Sequence, residues 1–543
     1  MKTLHADVWI IGSGAAGLMA AIAARRRGAQ VVVLGKEAPG RGTATERSGG
    51  ALAGAWEGLS EEDQKARTRA AGRGINQPEL VHVLAADGPH RFRELIDWGL
   101  PHRSTRGALR ALRRAGDEPG EIPLWGIEIV RCLAAQARAL GVAFLDPAVV
   151  TKIRAGEDGV RLSAFGSDGD GRLELLGGAV VLAAGGAGGL YLHHDNPPRA
   201  IGDSYALALD AGAELRDMEF VQFYPATLAV PGKPRNLLEP DEADRGAIVN
   251  GRGEDILAKY ALTERPAARH ARDRLSQALF REMEMADGEI FIDLTHMSKS
   301  DWLANSLTEI RWNYLDCWYD AFARPLRIAP VAHFVVGGVT IDVDGATSVP
   351  GLFAAGEAAG GLHGANRMGG NSLAETVVFG QRAGGAAAAW AQGRDQGRDL
   401  ARDQSTIPPP APSERVSRIG ADTLTDELRH VMWRQAGILR DSAGLAQGLD
   451  RVREIQAEAV GTGVQSAPTE QLKFIELQLA CVTAELIIEA ATRRRESRGV
   501  HFRTDFPATD DAQWRGNLKV TRRDGRLDWR FDGIPSAGDL DTD

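Results

Sequence analysis

The run Val8-Trp9-Ile10-Ile11-Gly12-Ser13-Gly14-Ala15-Ala16-Gly17 decides how this chain folds. An apolar run, Val8 to Ile11, leads into a turn with G-x-G-x-x-G spacing, and Leu18 to Arg27 continues as an alanine-rich stretch of helical character. A second apolar run, Val31 to Leu34, follows. Strand, glycine turn, helix and strand in that order make a βαβ opening, with the glycines where a dinucleotide pyrophosphate would rest against the helix N-terminus. The spacing alone suits NAD as well as FAD. NAD-binding units usually offer an acid to the ribose at the end of the second strand, and this chain reads Gly35-Lys36 there, which disfavours an NAD-type dehydrogenase. No second unit of this kind is present for NAD(P)H.

Farther along, Val180 to Ala184 with Gly185-Gly186 reads as another strand and tight turn. A short apolar strand, Gly351 to Ala355, precedes Gly356-Glu357-Ala358-Ala359 and then His363-Gly364-Ala365-Asn366-Arg367-Met368-Gly369-Gly370-Asn371-Ser372-Leu373. Leu373 to Ala389 is expected to be helical, so glycines and a helix N-terminus bring backbone N–H groups to an anionic or electron-rich ligand. Between about 221 and 334 the pattern is mixed: a helical stretch from Ile256 to Glu284, interrupted at Pro266, precedes the strand Ile290 to Leu294. Residues 392–414, ending near Pro408-Pro409-Pro410, read as a connector. Beyond it, Leu424 to Leu439 and Gln471 to Arg495 have helical spacing, and the polar stretch from Asp532 to Gly538 is expected to fray.

With 543 residues the chain can build more than one core, and a formal charge of −9 argues against a nucleic-acid-binding face. The run Arg493-Arg494-Arg495 reads as a solvated helix end. The chain opens directly into a strand and has no 18-residue apolar span, so a cytoplasmic protein without membrane insertion is expected. Cys132, Cys317 and Cys481 lie too far apart for a zinc, iron–sulfur or disulfide framework, so no metal site is expected in this chain.

Further motifs follow in order: Leu34-Gly35-Lys36, Gly202-Asp203, Met218-Glu219-Phe220-Val221-Gln222-Phe223, Arg272-Asp273, Ile292-Asp293-Leu294, His333-Phe334, Gly337-Gly338 and Arg494-Arg495-Glu496-Ser497-Arg498-Gly499. With the glycine runs they span most of the chain, which thereby resembles the succinate dehydrogenase, fumarate reductase and L-aspartate oxidase flavoproteins. The resemblance implies an α/β fold: a Rossmann-like FAD-binding domain in two segments, 1–220 and 335–391, with an inserted α+β capping domain, 221–334. A linker, 392–414, and a C-terminal helical domain, 415–543, complete it.

Carried over by position, FAD would be held by Gly12, Ser13, Gly14, Ala15, Ala16, Gly17, Lys36, Gly42, Thr43, Gly49, Gly50, Gly185, Asp203, Glu357, Asn371, Ser372 and Leu373. His333 and Arg367 match the pair that grips a substrate carboxylate, a task suited to the planar arginine fork. Arg272 matches the proton shuttle and Glu239 its relay. The resemblance implies hydride transfer between flavin and a carbon near that carboxylate, by desaturation, enoate reduction or amino-acid oxidation. An alternative is an L-aspartate-oxidase-like amino-acid oxidase; another, of a different class, is a non-catalytic flavoprotein subunit of an electron-transfer complex. The electron acceptor would be oxygen or an iron–sulfur partner protein.

Three departures limit the transfer. The usual histidine of the Gln-Phe-His-Pro run is Tyr224, the threonine before the relay glutamate is Leu238, and the histidine that carries covalent flavin in membrane-associated relatives is Thr43. Losing the first two removes the polar partners of a second carboxylate, and leaving such a group buried and unpaired costs several kcal/mol. The expected substrate is therefore not succinate or fumarate. It has one carboxylate and a neutral, aromatic or amide-like far end beside Tyr224, as in urocanate-type reductases, which also use tyrosine here. FAD is expected to be non-covalent.

Overall fold

The structure is a computed structural model describing residues 2–112, 125–166, 171–233, 235–285, 288–304, 309–393, 419–462 and 468–535. The glycine-flanked apolar run forms the strand Lys2–Ile11, which lies parallel to Val31–Leu34 on one side and to Arg172–Leu182 on the other. Leu352–Ala354 pairs in parallel with Arg172–Leu182, so distant parts of the chain share one seven-stranded sheet. Val8, Trp9 and Ile10 are fully buried, as expected of a parallel strand covered on both faces.

The expected helices after the two glycine runs are Ala15–Arg26 and Asn371–Gln392. They pack in close contact because Gly380 and Gly384 carry no side chain: a Cβ there would meet the carbonyl oxygens of Ala16 and Ala20 at 2.6 and 2.0 Å. Pairing Ala16 with Gly380 and Ala20 with Gly384 makes the helices run in the same direction. The longer helix therefore begins about 12 Å before the shorter one, at 1.5 Å per residue. Two helix N-termini are thus offset along one groove.

A separate four-stranded antiparallel sheet is built from Val221–Leu228, Leu326–Val335, Ile290–Asp293 and Ala247–Asn250, with its own core around Leu238, Leu275, Ile292 and Trp302. The stretch read as helical from 256 to 284 resolves into Ile256–Lys259, Ala267–His270 and Arg272–Met283. The break at Ala271 puts Arg272 at a helix N-terminus. In the pairing of Val221–Leu228 with Leu326–Val335, Gln222 opposes Phe334 while Phe223 opposes Ala332, so His333 is the extra residue of a β-bulge. Such a bulge re-aims a side chain that regular alternation would send elsewhere.

The C-terminal part is helical in Ala421–Gln435, Ser442–Thr462 and Pro468–Arg493. The expectation of a helical domain needs correcting beyond Arg493. Gly516–Arg523 and Arg526–Gly533 form a hairpin that pairs with Leu215–Arg216, joining a sheet with the FAD-binding segments. Asp532 and Gly533, expected to fray, end its last strand because Gly516 and Asn517 pair with them. Arg494 is likewise not at a solvated end: it is fully buried. The expected connector lies outside the described residues from 394 onward. Among the described residues no helix is long and apolar enough to cross a membrane, and no cluster of His, Cys, Asp and Glu could hold a metal.

Candidate functional site

The groove begins at the first glycine turn. Gly12 has φ +109°, and a Cβ there would sit 2.2 Å from the Ala183 carbonyl oxygen; one on Gly17 would sit 1.9 Å from the Gly12 carbonyl. Side chains are sterically excluded at both positions. Gly14 precedes the helix without a side-chain cap, and Thr45 Oγ1 accepts from Ala15 N–H at 3.2 Å, leaving the following N–H groups of the first turn for an anion. Ser13 Oγ accepts from Gly40 N–H at 3.2 Å, tying the turn to the loop after the second strand.

Around that turn, Gly185 has φ +84° and open space where a Cβ would project. Asp203 is buried, pairs with Lys36 at 3.1 Å through Oδ2, and leaves Oδ1 without a partner among the described residues. A buried carboxylate oxygen held ready in this way is what a cofactor hydroxyl needs. Lys36 also reaches Glu476 at 3.1 Å and the Arg199 carbonyl at 2.9 Å, so its ammonium binds protein groups and braces Asp203. Thr43 caps the short helix Ala44–Arg47, accepting from Glu46 N–H at 3.1 Å and donating to the Gly40 carbonyl at 3.0 Å. Gly42 N–H donates to Glu46 at 2.8 Å. Gly50 has φ +68°, and a Cβ on its neighbour Gly49 would stand 3.0 Å from Glu239 Oε1.

At the second helix N-terminus, Asn371 is buried, donating to Thr68 Oγ1 at 3.0 Å and accepting from Gln64 Nε2 at 2.9 Å. Ser372 Oγ lies 3.5 Å from Arg367, and Leu373 is buried. Glu357 accepts from Val335 N–H at 2.8 Å, and burial pushes its carboxyl up to about 8. His363 Nε2 bonds Glu375 at 2.9 Å while its buried Nδ1 has no partner among the described residues. Excluded side chains, uncapped helix ends and buried polar atoms without a partner among the described residues together fit a dinucleotide held at these two helix N-termini.

Arg367 is 4 % exposed. Its Nε and Nη2 donate to Gln222 Oε1 at 3.1 and 2.7 Å, Nη1 donates to the Met368 carbonyl at 3.2 Å, and the guanidinium lies 4.8 Å over Phe334. Gln222 in turn donates to the Arg367 carbonyl at 2.9 Å. Among the described residues Arg367 has no ion-pair partner. Burial and the nearby Arg272 push it down to about 9, against the weaker pull of Glu357, Asp195 and Glu375. Arg272, half-buried, donates to the Ala268 carbonyl at 3.3 Å, lies 5.3 Å over the Tyr224 ring, and is also lowered by burial.

The other residues expected in this site divide. His333 lies against Tyr224, ring centroids 5.7 Å apart, and its Nδ1 bonds Asp195 at 2.7 Å. The Tyr224 hydroxyl donates to the Leu238 carbonyl at 2.6 Å, and burial raises its pKa, so it stays protonated and already committed. Glu239 stands at the N-terminus of the short helix Pro240–Ala243, its N–H donating to Glu242 at 2.8 Å, and its carboxylate faces Arg110 at 3.5 Å. Among the described residues no hydrogen bond joins Glu239 to Arg272, though Glu239 lies near enough to favour the charged form of Arg272. Sequence reasoning missed Asp195, Gln222 as the support of Arg367, and Arg110. Gln222 stood inside the motif from Met218 to Phe223, whereas Asp195 carried no local signal.

Residues 7–373 match the FAD binding domain, and residues 425–532 match the C-terminal domain of the fumarate reductase flavoprotein. One of the subunits of the CoM/CoB fumarate reductase of Methanothermobacter marburgensis is 31% identical over 551 aligned positions, covering 95% of this chain and 97% of that protein. L-aspartate oxidase of Streptomyces coelicolor is 33% identical over 557 positions, covering 95% and 91%. The E. coli quinol fumarate reductase FrdA has the same fold, with a TM-score of 0.84 at 28% identity over 98% of this chain and 97% of that one.

Proposed function

This chain belongs to the family of FAD-dependent oxidoreductases that includes fumarate reductase and L-aspartate oxidase, and from that premise we propose that it transfers hydride between FAD and a carbon beside the single carboxylate of a substrate other than succinate or fumarate. Arg367 carries the proposal. Its guanidinium is buried, is aimed by a neutral amide and an aromatic face, and has no acid partner among the described residues. A carboxylate completes such a site, because a desolvated cation gains most from a bidentate anion. Arg272 adds positive charge nearby and stands at the position from which a proton would move.

The opposite pole favours a neutral group. Tyr224 and Leu238 are buried, and the hydroxyl between them already bonds the Leu238 carbonyl. FAD supplies the hydride chemistry when bound; Gly12, Gly14, Gly17, Asp203 and the N-termini at Ala15 and Asn371 would hold it. Thr43 spends its hydroxyl on a helix cap, which supports non-covalent attachment. The three cysteines offer no cluster spacing, so an iron–sulfur acceptor, if used instead of oxygen, sits on another protein.

Acid precipitation of the purified protein should release all its flavin. Anaerobic mixing with a panel of mono- and dicarboxylates should change the flavin spectrum with monocarboxylates first. Equal turnover of succinate, fumarate or aspartate would sink the proposal. Peroxide formation under air separates an oxygen acceptor from a protein partner.

A further inference from the structure

Asp195 lies 138 residues from His333 in sequence, yet their side chains meet at 2.7 Å. Two backbone hydrogen bonds, the Asn196 side chain and a β-bulge bring this about. Ala332 N–H donates to the His193 carbonyl at 2.8 Å, and Asp195 N–H donates to the Ala332 carbonyl at 3.4 Å, so the 193–195 segment runs alongside the bulged strand. Asn196 Nδ2 donates to the His333 carbonyl at 3.0 Å and to Asp195 Oδ1 at 3.1 Å, fixing the carboxylate beside the bulge. The bulge at His333 turns the imidazole toward it.

An ionised carboxylate only accepts hydrogen bonds, so the Nδ1 that faces it carries the proton. The two ring nitrogens lie on opposite edges; Nε2 has no hydrogen-bond partner among the described residues, and the His333 side chain is 23% exposed. We infer that Asp195 is a positioning residue: by taking the Nδ1–H of His333 it leaves Nε2 as a bare acceptor beside Tyr224, Arg272 and Arg367, and so selects a carboxylate whose adjacent carbon bears an N–H or O–H donor. The inference rests on Arg367 holding that carboxylate. In this reading Arg367 grips the carboxylate, and His333, expected to grip it alongside Arg367, meets the group next to it.

The electrostatics agree. Burial lowers His333, and Arg367 and Arg272 lower it further, against the upward pull of Asp195, so the ring is neutral at neutral pH and one nitrogen must be bare. A site that offers an acceptor to a donor discriminates against the analogue lacking it, because that analogue displaces water from the half-buried nitrogen without replacing its hydrogen bond.

The test uses the holoenzyme and three acids of one skeleton: 3-phenylpropionate, 3-phenyllactate and phenylalanine, titrated by calorimetry. At least one donor-bearing acid should bind about tenfold or more tightly than phenylpropionate. Asp195→Ala should reduce that preference to less than about twofold, since the ring is then free to change tautomer. Independently, 15N spectra of histidine-labelled wild type, assigned with His333→Gln, should show His333 protonated at Nδ1 and bare at Nε2. That measurement stands even where the Asp195 variant does not fold. Phenylpropionate binding as tightly as the other two, or a proton on Nε2 of the free enzyme, overturns the inference. Binding of all three acids unaffected by Arg367→Ala would overturn the carboxylate site itself, a distinguishable failure.

Discussion

Arg367 and Arg494 are both buried arginines, one beside the second glycine loop and the other under the C-terminal hairpin, and they are solvated by the protein in opposite ways. Arg494 bonds Glu219 directly, reaches Glu496 at 3.0 Å and Asp217 at 3.8 Å, and donates to the carbonyls of Trp514 and Gly516 at 3.0 Å. Burial opposes its charge, but Glu219, Asp217 and Glu496 outweigh that and hold it above the usual arginine range. Arg367 has an amide, a carbonyl and a ring, and is pushed down to about 9. A saturated buried cation ties elements together; an unsaturated one is poised for a ligand.

The largest expected effect breaks the saturated side. Arg494→Leu leaves Glu219 buried beside Asp217, and should cost about 3–5 kcal/mol of stability, read as a lowered urea midpoint. Adding Glu219→Gln should recover part of it. Arg367→Leu should leave the urea midpoint unchanged or raised and weaken carboxylate binding by about 2–5 kcal/mol, measured by calorimetry. Equal destabilisation by the two substitutions would erase the contrast.

The next effect is in pH. Binding needs the charged form of Arg367, which prevails below its lowered pKa. Carboxylate affinity should therefore be flat with respect to this group below about 9 and fall above it. The fall approaches about tenfold per pH unit, and in Arg367→Leu this component should be missing from a plot of Kd against pH. The smallest effect is at Tyr224. Tyr224→Phe removes one hydrogen bond to the Leu238 carbonyl and should cost about 1 kcal/mol while FAD stays bound, as unfolding curves and flavin absorbance would report.

Much of the flavin side was legible in sequence because its signals are local: Gly12 and Gly17 are required by contacts within one turn, and Leu18 to Arg27 and Leu373 to Ala389 announce their helices by composition. The C-terminal hairpin left a weaker trace. Leu527, Trp529 and Phe531 alternate with charged residues in a period of two, but their pairing with Gly516–Arg523 and, through it, with Leu215–Arg216 is non-local. Arg493-Arg494-Arg495 misled for a related reason. A run of like charge reads as solvated until the fold brings in Glu219, 275 residues away from Arg494.

The sequence by itself determined the βαβ opening, the exclusion of an NAD-type acid at Gly35-Lys36, and the residue types available for a carboxylate, because steric and chemical constraints there act within a few positions. Only the tertiary structure decided which charges are neutralised. It gave Arg494 its acids, left Arg367 without one among the described residues, tied Glu239 to its own helix and set Asp195 against His333. Charge pairing depends on distance through a folded, low-dielectric interior, and separation along the chain does not report that distance.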